Sequence, residues 1–185
     1  MTEPDHFLGE RIDEKVSLFE SNAIAEYLDE TTEPRLHPDD PVLRAINRAW
    51  TDYVPTFANL VTAGAYADDE ASYKASAENI PVAFERLELA LAKQNAGPFF
   101  NGAKYSLVDA AYAPFLQRYF FLDRLKPLGV IERFPRLQAW AQALINRPST
   151  HSFPEADFEA LYRLNLKRRK KWLSEFIADA AIAAE

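Results

Sequence analysis

The 185-residue sequence contains no cysteine, one methionine, five glycines and three histidines. Without cysteine, these residues have no disulfide, no thiolate metal site and no cysteine nucleophile, and the redox compartment is left open. The five glycines form no phosphate-binding loop. The histidines, His6, His37 and His151, share no metal-ligand spacing. We therefore expect no metal site.

Long uncharged apolar runs are also missing. No run approaches the roughly 18 residues that a membrane helix needs, and the N-terminal segment MTEPDHFLGERIDEK is too polar and acidic for a signal peptide. The net charge of -7 weighs against nucleic acid as a ligand, because its phosphates would be repelled over most of the surface. These absences predict a cytoplasmic protein that binds neither membranes nor nucleic acid.

The sequence is rich in apolar residues at helical spacing. With 48% hydrophobic and 13% aromatic residues, the chain can build a sizeable core. After Leu28, apolar residues recur at steps of three and four, as buried helix faces require. The segment EPRLHPDDP has three prolines in nine residues and cannot continue a helix. It predicts a boundary between residues 1–32 and residues 33–185 in a mainly α protein, with a helical bundle after the boundary.

The segment LFESNAIAEYLDE, Leu18 to Glu30, predicts a short strand, a polar corner at Glu20 and Ser21, and a small helix. Two interpretations fit this pattern. Ser21 can cap the helix. Alternatively, the free amides and the positive dipole end of the helix bind a carboxylate while Glu20 binds an ammonium, as in the head group of an amino acid. Spacing alone favours the capping role.

Two further patterns are interpreted as structural. Ser106 and Asp109 have the spacing of a capping box, in which each side chain accepts a hydrogen bond from the other residue's amide. Ser106 is not assigned as a nucleophile, because no histidine lies near it in the sequence. The basic run from Lys167 to Lys171 is assigned to the solvated face of a last helix, whose apolar side carries Trp172 to Ile177, rather than to a nucleic-acid site.

Five aromatic residues on the predicted helices are candidates for an apolar pocket, although most such residues form ordinary core. Tyrosine is a better candidate than phenylalanine, because its hydroxyl needs a partner or water. The five residues are Tyr53, Phe57, Tyr112, Phe115 and Tyr119.

The segments LFESNAIAEYLDE and YSLVDAAYAPFLQRY together resemble the cytosolic glutathione transferases. Three segments are similar to bacterial members in particular: LHPDDPVLRAINRAW, GPFFNGAKYSLVDAAYAPF and RFPRLQAWAQALINRPS. The resemblance implies that residues 1–32 are the last strand and helix of a thioredoxin-like domain, and that residues 33–185 are the all-helical C-terminal domain. It also implies that Glu20 and Ser21 hold the γ-glutamyl end of glutathione, and that the five aromatic residues lie on helices lining the co-substrate pocket. The implied activity is transfer of glutathione to an apolar electrophile.

The sequence departs from the family's pattern upstream of Val16. The earlier strands of the thioredoxin-like domain have no counterpart there, and neither does the residue that stabilises the glutathione thiolate. We therefore expect a shortened N-terminus, no catalytic residue, and negligible conjugation of a standard aryl halide by these 185 residues.

This departure also leads to expectations about assembly. Val16 to Phe19 should form an edge strand without a partner. The apolar surface that meets the first domain in the family should be bare, which favours a homodimer. The alternative function is a non-catalytic helical module that binds a protein partner.

Overall fold

The computed structural model describes residues 10–11, 17–93, 96–151 and 155–177, and within them the chain is mainly helical, as the periodicity predicts. Two strands come first, β1 (Glu10–Arg11) and β2 (Ser17–Leu18). The α-helices are α1 (Ser21–Thr31), α2 (Pro41–Thr62), α3 (Glu70–Ala77), α4 (Ile80–Leu91), α5 (Leu107–Leu125), α6 (Pro135–Ile145) and α7 (Glu155–Arg168). Short 3-10 helices lie at Ala63–Tyr66, Ile131–Arg133, Pro148–His151 and Trp172–Phe176. None of the described helices has the length and apolar character needed to span a membrane.

The two strands form an antiparallel pair, with Glu10 opposite Leu18 and Arg11 opposite Ser17. The prediction of a strand without a partner is therefore wrong, although Val16 itself lies outside the described residues. The partner was missed because two charged residues show no alternation of apolar and polar positions, which is the sequence pattern of a half-buried strand. Strand pairing uses backbone groups and needs no such pattern.

The core forms where α2 packs along α5, the helix pair with the most extensive contact. Asp40 fixes the start of α2, because its carboxylate accepts hydrogen bonds from the amides of Val42 and Leu43 at 2.9 and 2.8 Å. α4 and α6 complete the core by packing against each other and against α2 or α5. The large side chains at its centre are Phe57, Phe84, Leu87, Tyr112, Leu116, Leu137 and Leu144.

The buried carboxylate of Asp109 connects three segments of the core. It accepts hydrogen bonds from the amide and the hydroxyl of Ser106 at 2.7 and 2.6 Å, while the Asp109 amide donates to the Ser106 hydroxyl at 3.5 Å. This is the reciprocal geometry of a capping box at the start of α5. The same carboxylate accepts from the Phe100 amide at 2.8 Å and from Trp140 Nε1 at 2.7 Å. The cap therefore also holds the preceding loop and α6.

The start of α6 is capped by a residue that is distant in the sequence. No side chain near Phe134 caps this helix. Glu88 on α4 accepts instead from the amides of Arg136 and Leu137 at 3.2 and 2.8 Å. A carboxylate at this end also compensates the positive end of the helix dipole.

The end of the described chain differs from the predicted single last helix. α7 ends at Arg168, and Lys170 adopts a φ of 52°, which an α-helix cannot contain. The apolar residues that follow belong to the separate 3-10 helix Trp172–Phe176, which buries Leu173. The Trp172 amide donates to the Ala67 carbonyl at 3.0 Å, so this segment is fastened back onto the bundle.

Candidate functional site

The corner between β2 and α1 presents an open helix N-terminus. Glu20 precedes the helix with φ 69° and ψ 113°, and no side chain makes a capping hydrogen bond at this end. The first helical bond runs from the Ile24 amide to the Glu20 carbonyl at 3.0 Å. Both Glu20 and Ser21 are exposed. A positive φ costs a residue other than glycine about 1–3 kcal/mol, and such residues cluster at binding and catalytic sites.

The structure tests the capping interpretation of Ser21. Ser21 is the first residue of α1, and the capping position is occupied by Glu20. The prediction that Ser21 caps the helix is therefore wrong. The first amides of α1 keep no intrahelical partner, and together with the helix dipole they form a site where a carboxylate binds favourably. The Glu20 side chain beside them supplies a negative charge for an ammonium.

Side chains on the bundle hold α1 in place. Asn22 Nδ2 donates to Asp52 on α2 at 2.6 Å. Further along α1, Glu26 accepts from His37 Nε2 at 2.7 Å and from Arg48 at 2.9 and 2.7 Å. Burial acts to raise the pKa of Glu26, but the hydrogen bonds from Arg48 and His37 outweigh it, and the pKa of Glu26 falls below its ordinary value. The ionised carboxylate therefore ties α1 to α2 and to the linker, the segment from Glu33 to Asp40 that joins these two helices.

The five aromatic candidates do not share one pocket. Phe57, Tyr112 and Tyr119 are 0, 0 and 1% exposed and fill the core. Tyr112 can be buried because its hydroxyl donates to the Trp50 carbonyl at 3.0 Å. Burial raises the pKa of the Tyr112 and Tyr119 hydroxyls well above the ordinary value, so both stay protonated. Tyr53 is half-buried, with the Arg86 guanidinium 4.2 Å from its ring centroid.

Phe115 lines a cleft of about 440 Å³ between α2, α5 and α7. Sequence reasoning named only this residue of the cleft, and it missed the contribution of α7 altogether. The i, i+3 and i+4 spacing of Phe158, Leu161 and Tyr162 was the available signal, since these positions share one helix face. The complete lining is Ala58, Asn59, Thr62, Tyr66, Phe115, Arg118, Phe158, Leu161, Tyr162 and Asn165.

The cleft and the Glu20–Ser21 corner lie along the same face of α2. Asp52, which binds Asn22 next to the corner, and Asn59, which lines the cleft, are seven residues apart in one helix. Seven residues are close to two helical turns, so the two positions share a face about 10 Å apart.

Metal chemistry has no support among the residues that the structure describes, because no group of three histidine, aspartate or glutamate side chains lies in a position to hold a metal ion. The corner and the cleft offer amides, hydroxyls, one carboxylate, one guanidinium and apolar surface.

Comparison with known proteins gives this arrangement a context. Residues 70–143 match the family model described as glutathione S-transferase, C-terminal domain. The tau class glutathione S-transferase MiGSTU from mango is 26% identical and superposes with a TM-score of 0.69 over 81% of this chain and 71% of that one. The helical part of this chain has the fold of a glutathione S-transferase C-terminal domain. Its matched segment runs from α3 to α6 and includes Asp109, Phe115 and Arg118.

Other relatives show how much of a glutathione S-transferase the chain covers. Glutathione S-transferase L1 of Arabidopsis thaliana is 34% identical over 153 residues, which are 81% of this chain and 60% of that protein. The theta class enzyme of Xanthomonas axonopodis pv. citri, solved with glutathione bound, is 29% identical with a TM-score of 0.61, over 75% of this chain and 68% of that one. The chain spans about half the length of the first curated relatives that it matches, from 41 to 60%. The finer similarity to bacterial members stays a prediction.

Proposed function

We propose that this chain holds the γ-glutamyl end of glutathione at Glu20 and Ser21 and contributes to the transfer of glutathione to an apolar electrophile. This proposal rests on the uncapped start of α1, where the strained Glu20 places a carboxylate beside free amides. The γ-glutamyl group has a carboxylate and an ammonium on one carbon. The amides and the Ser21 hydroxyl suit its carboxylate, and Glu20 suits its ammonium.

The position of the cleft supports the second part of the proposal, the transfer of glutathione to an electrophile. The thiol of glutathione lies one residue from the γ-glutamyl group. Asn59 in the cleft lies about 10 Å along α2 from Asp52, which binds Asn22 beside the corner. In the transfer, the glutathione thiolate attacks an electrophilic carbon and a carbon–sulfur bond forms, while the leaving group departs with its electron pair. A lowered thiol pKa increases the thiolate fraction at neutral pH. We assign no residue of this chain to that step.

Calorimetric titration of glutathione into the 185-residue protein tests the proposed corner. Ser21→Ala and Glu20→Gln should each weaken binding by about tenfold, because each removes a hydrogen bond to a charged group. The matched control is Ser72→Ala, since Ser72 is an exposed serine on α3. Cysteinylglycine, which lacks the γ-glutamyl group, serves as the control ligand. If cysteinylglycine binds as tightly as glutathione, or if Ser21→Ala has no effect, the corner is not the γ-glutamyl site.

We also propose that the protein assembles as a homodimer. The first turns of α2 expose Val42, Leu43 and Ile46 at 65, 51 and 42%. Their spacing places them on one face of the helix. An exposed cluster of large apolar side chains favours association. The same cluster supports the second candidate function, a helical module that binds a different protein, and the state of assembly separates the two.

A further inference from the structure

The cleft between α2, α5 and α7 contains a positive charge within apolar walls. Phe115, Phe158 and Leu161 provide aromatic and aliphatic surface, and Arg118 lies among them. The Arg118 guanidinium sits over the Phe115 ring, 5.1 Å from its centroid. An arginine in such surroundings has lost part of its hydration, which strengthens its attraction for an anion.

No carboxylate neutralises Arg118 within the part of the chain that the structure describes. Glu159, an acidic residue of α7, already pairs with two other arginines. It accepts a hydrogen bond from Arg124 and another from Arg163, the latter at 3.3 Å. The positive charge of Arg118 is therefore available to a ligand in the cleft.

Tyr162 adds a hydrogen-bond donor to the same cleft. Its hydroxyl oxygen is shielded from solvent and makes no hydrogen bond of acceptable geometry with any described residue. Tyr66 lies beside it, and its charge and a side-chain hydrogen-bonding contact both act on the Tyr162 pKa, but the geometry of that contact falls short of a hydrogen bond. Burial and Tyr66 raise the pKa of Tyr162 to about 12, so the hydroxyl keeps its proton at neutral pH. An unpaired buried donor is unfavourable, and a ligand oxygen would satisfy it.

We propose that the organic molecule bound in this cleft is an aromatic carboxylate, whose ring packs between Phe115 and Phe158 and whose carboxylate binds Arg118. This inference rests on the proposed function, because only that function identifies the bound molecule as the electrophile. Arg118 favours a planar carboxylate, because the arginine guanidinium can donate two parallel hydrogen bonds to the two carboxylate oxygens. A neutral molecule of the same shape leaves the positive charge of Arg118 uncompensated.

A paired-ligand titration without glutathione tests the proposal. 2-Naphthoate and 2-naphthamide have the same ring system, but only the first is charged. The unmodified protein should bind 2-naphthoate about tenfold more tightly than 2-naphthamide. Arg118→Gln should abolish this preference and leave the affinity for 2-naphthamide unchanged. Arg118→Lys should retain part of the preference, since it keeps the charge and loses the fork.

The matched control is Arg133→Gln. Arg133 also lies over an aromatic ring, at 5.7 Å from the centroid of Phe134, and it does not line the cleft. Its replacement should leave the preference for 2-naphthoate intact. The proposal is overturned if the unmodified protein binds both ligands equally, or if Arg118→Gln keeps the preference. The first comparison needs no variant, so it decides the question even if Arg118→Gln does not fold.

The outcome is independent of the glutathione titration. A preference for 2-naphthoate that depends on Arg118, together with glutathione binding that ignores Ser21, would retain an anion-binding cleft and reject the γ-glutamyl corner. The opposite pair of results would retain the corner and reject the carboxylate as the specificity feature.

Discussion

At the scale of single residues, Asp109 has more partners than its sequence motif suggests. A capping box needs one reciprocal pair, but this carboxylate accepts four hydrogen bonds from Phe100, Ser106 and Trp140. It is fully buried, where donors left without an acceptor are costly. Local capping explains only the hydrogen bonds with Ser106. The hydrogen bonds from Phe100 and Trp140 hold the preceding loop and α6 against the start of α5.

The two members of the box should therefore differ in their effects on stability. Ser106→Ala should lower the free energy of unfolding by roughly 1 kcal/mol, as loss of a cap does. Asp109→Asn should lower it by about 3 kcal/mol, because the amide group cannot accept from all the donors that converge there. Urea unfolding followed by circular dichroism measures both values. The matched control is Asp69→Asn, at the exposed cap of α3, which should change stability by less than about 0.5 kcal/mol because asparagine caps well. Equal losses for Ser106→Ala and Asp109→Asn would contradict this account.

At the scale of elements, the position of α1 depends on polar contacts. α1 buries only Asp29, whose carboxylate accepts from the amides of Leu36 and His37 in the linker. Glu26 adds the bonds to His37 and Arg48. An element that buries little apolar surface is held by such contacts, so its docking should respond to pH.

The pKa of Glu26 gives the direction of that response. Because this pKa is lower in the folded protein than its ordinary value of 4.5, the ionised group stabilises the fold above pH 4.5, and the effect is lost as the pH falls below it. Glu26→Gln should reduce stability at pH 7 by about 1–2 kcal/mol, and the difference from the unmodified protein should shrink as the pH approaches 3.

Urea unfolding at several pH values between 7 and 3 measures this difference. The matched control is Glu30→Gln, which removes a 3.2 Å contact with the same Arg48 but at an exposed side chain. That change should cost less than about 0.5 kcal/mol at any pH in this range. A pH-independent effect of Glu26→Gln would show that packing, not ionisation, connects α1 to the bundle.

At the scale of the whole molecule, apolar surface remains on the outside of a protein with a large core. Val42 and Ile46 at the start of α2 are both exposed large apolar side chains, and they lie one helical turn apart. The charged residues elsewhere on the surface keep the net charge at -7, which disfavours non-specific aggregation. Association should therefore occur through a defined face.

Sedimentation equilibrium at micromolar concentration should show a homodimer. Ile46→Glu should weaken the dimer by at least about tenfold, because association would bury an unpaired charge. The matched control is Leu164→Glu on α7, an equally large change at a side chain that is 62% exposed. A monomeric unmodified protein would remove the homodimer proposal and favour the protein-binding module.

Much of this protein follows from its sequence alone. Helical spacing is set by neighbours three and four residues apart, so the mainly α fold and the start of α5 at Ser106 were predictable. The polar corner at Glu20 and Ser21 was also visible, because it is built within a few consecutive residues. The positive φ of Glu20 and the uncapped start of α1 were not predictable.

Only the tertiary structure decided which residues meet across long separations. The spacing of apolar residues shows that an aromatic side chain faces inward, but it does not show whether that side chain packs in the core or lines a cleft. Packing of α2 and α5 against α4 and α6 buried Phe57, Tyr112 and Tyr119. The cleft between α2, α5 and α7 left Phe115 beside Arg118. The hydrogen bond from Trp140 to Asp109 likewise depends on how the helices pack, and so does the capping of α6 by Glu88. The physical reason is that helix spacing is a local property of the chain, whereas the partners of a side chain depend on how whole helices pack.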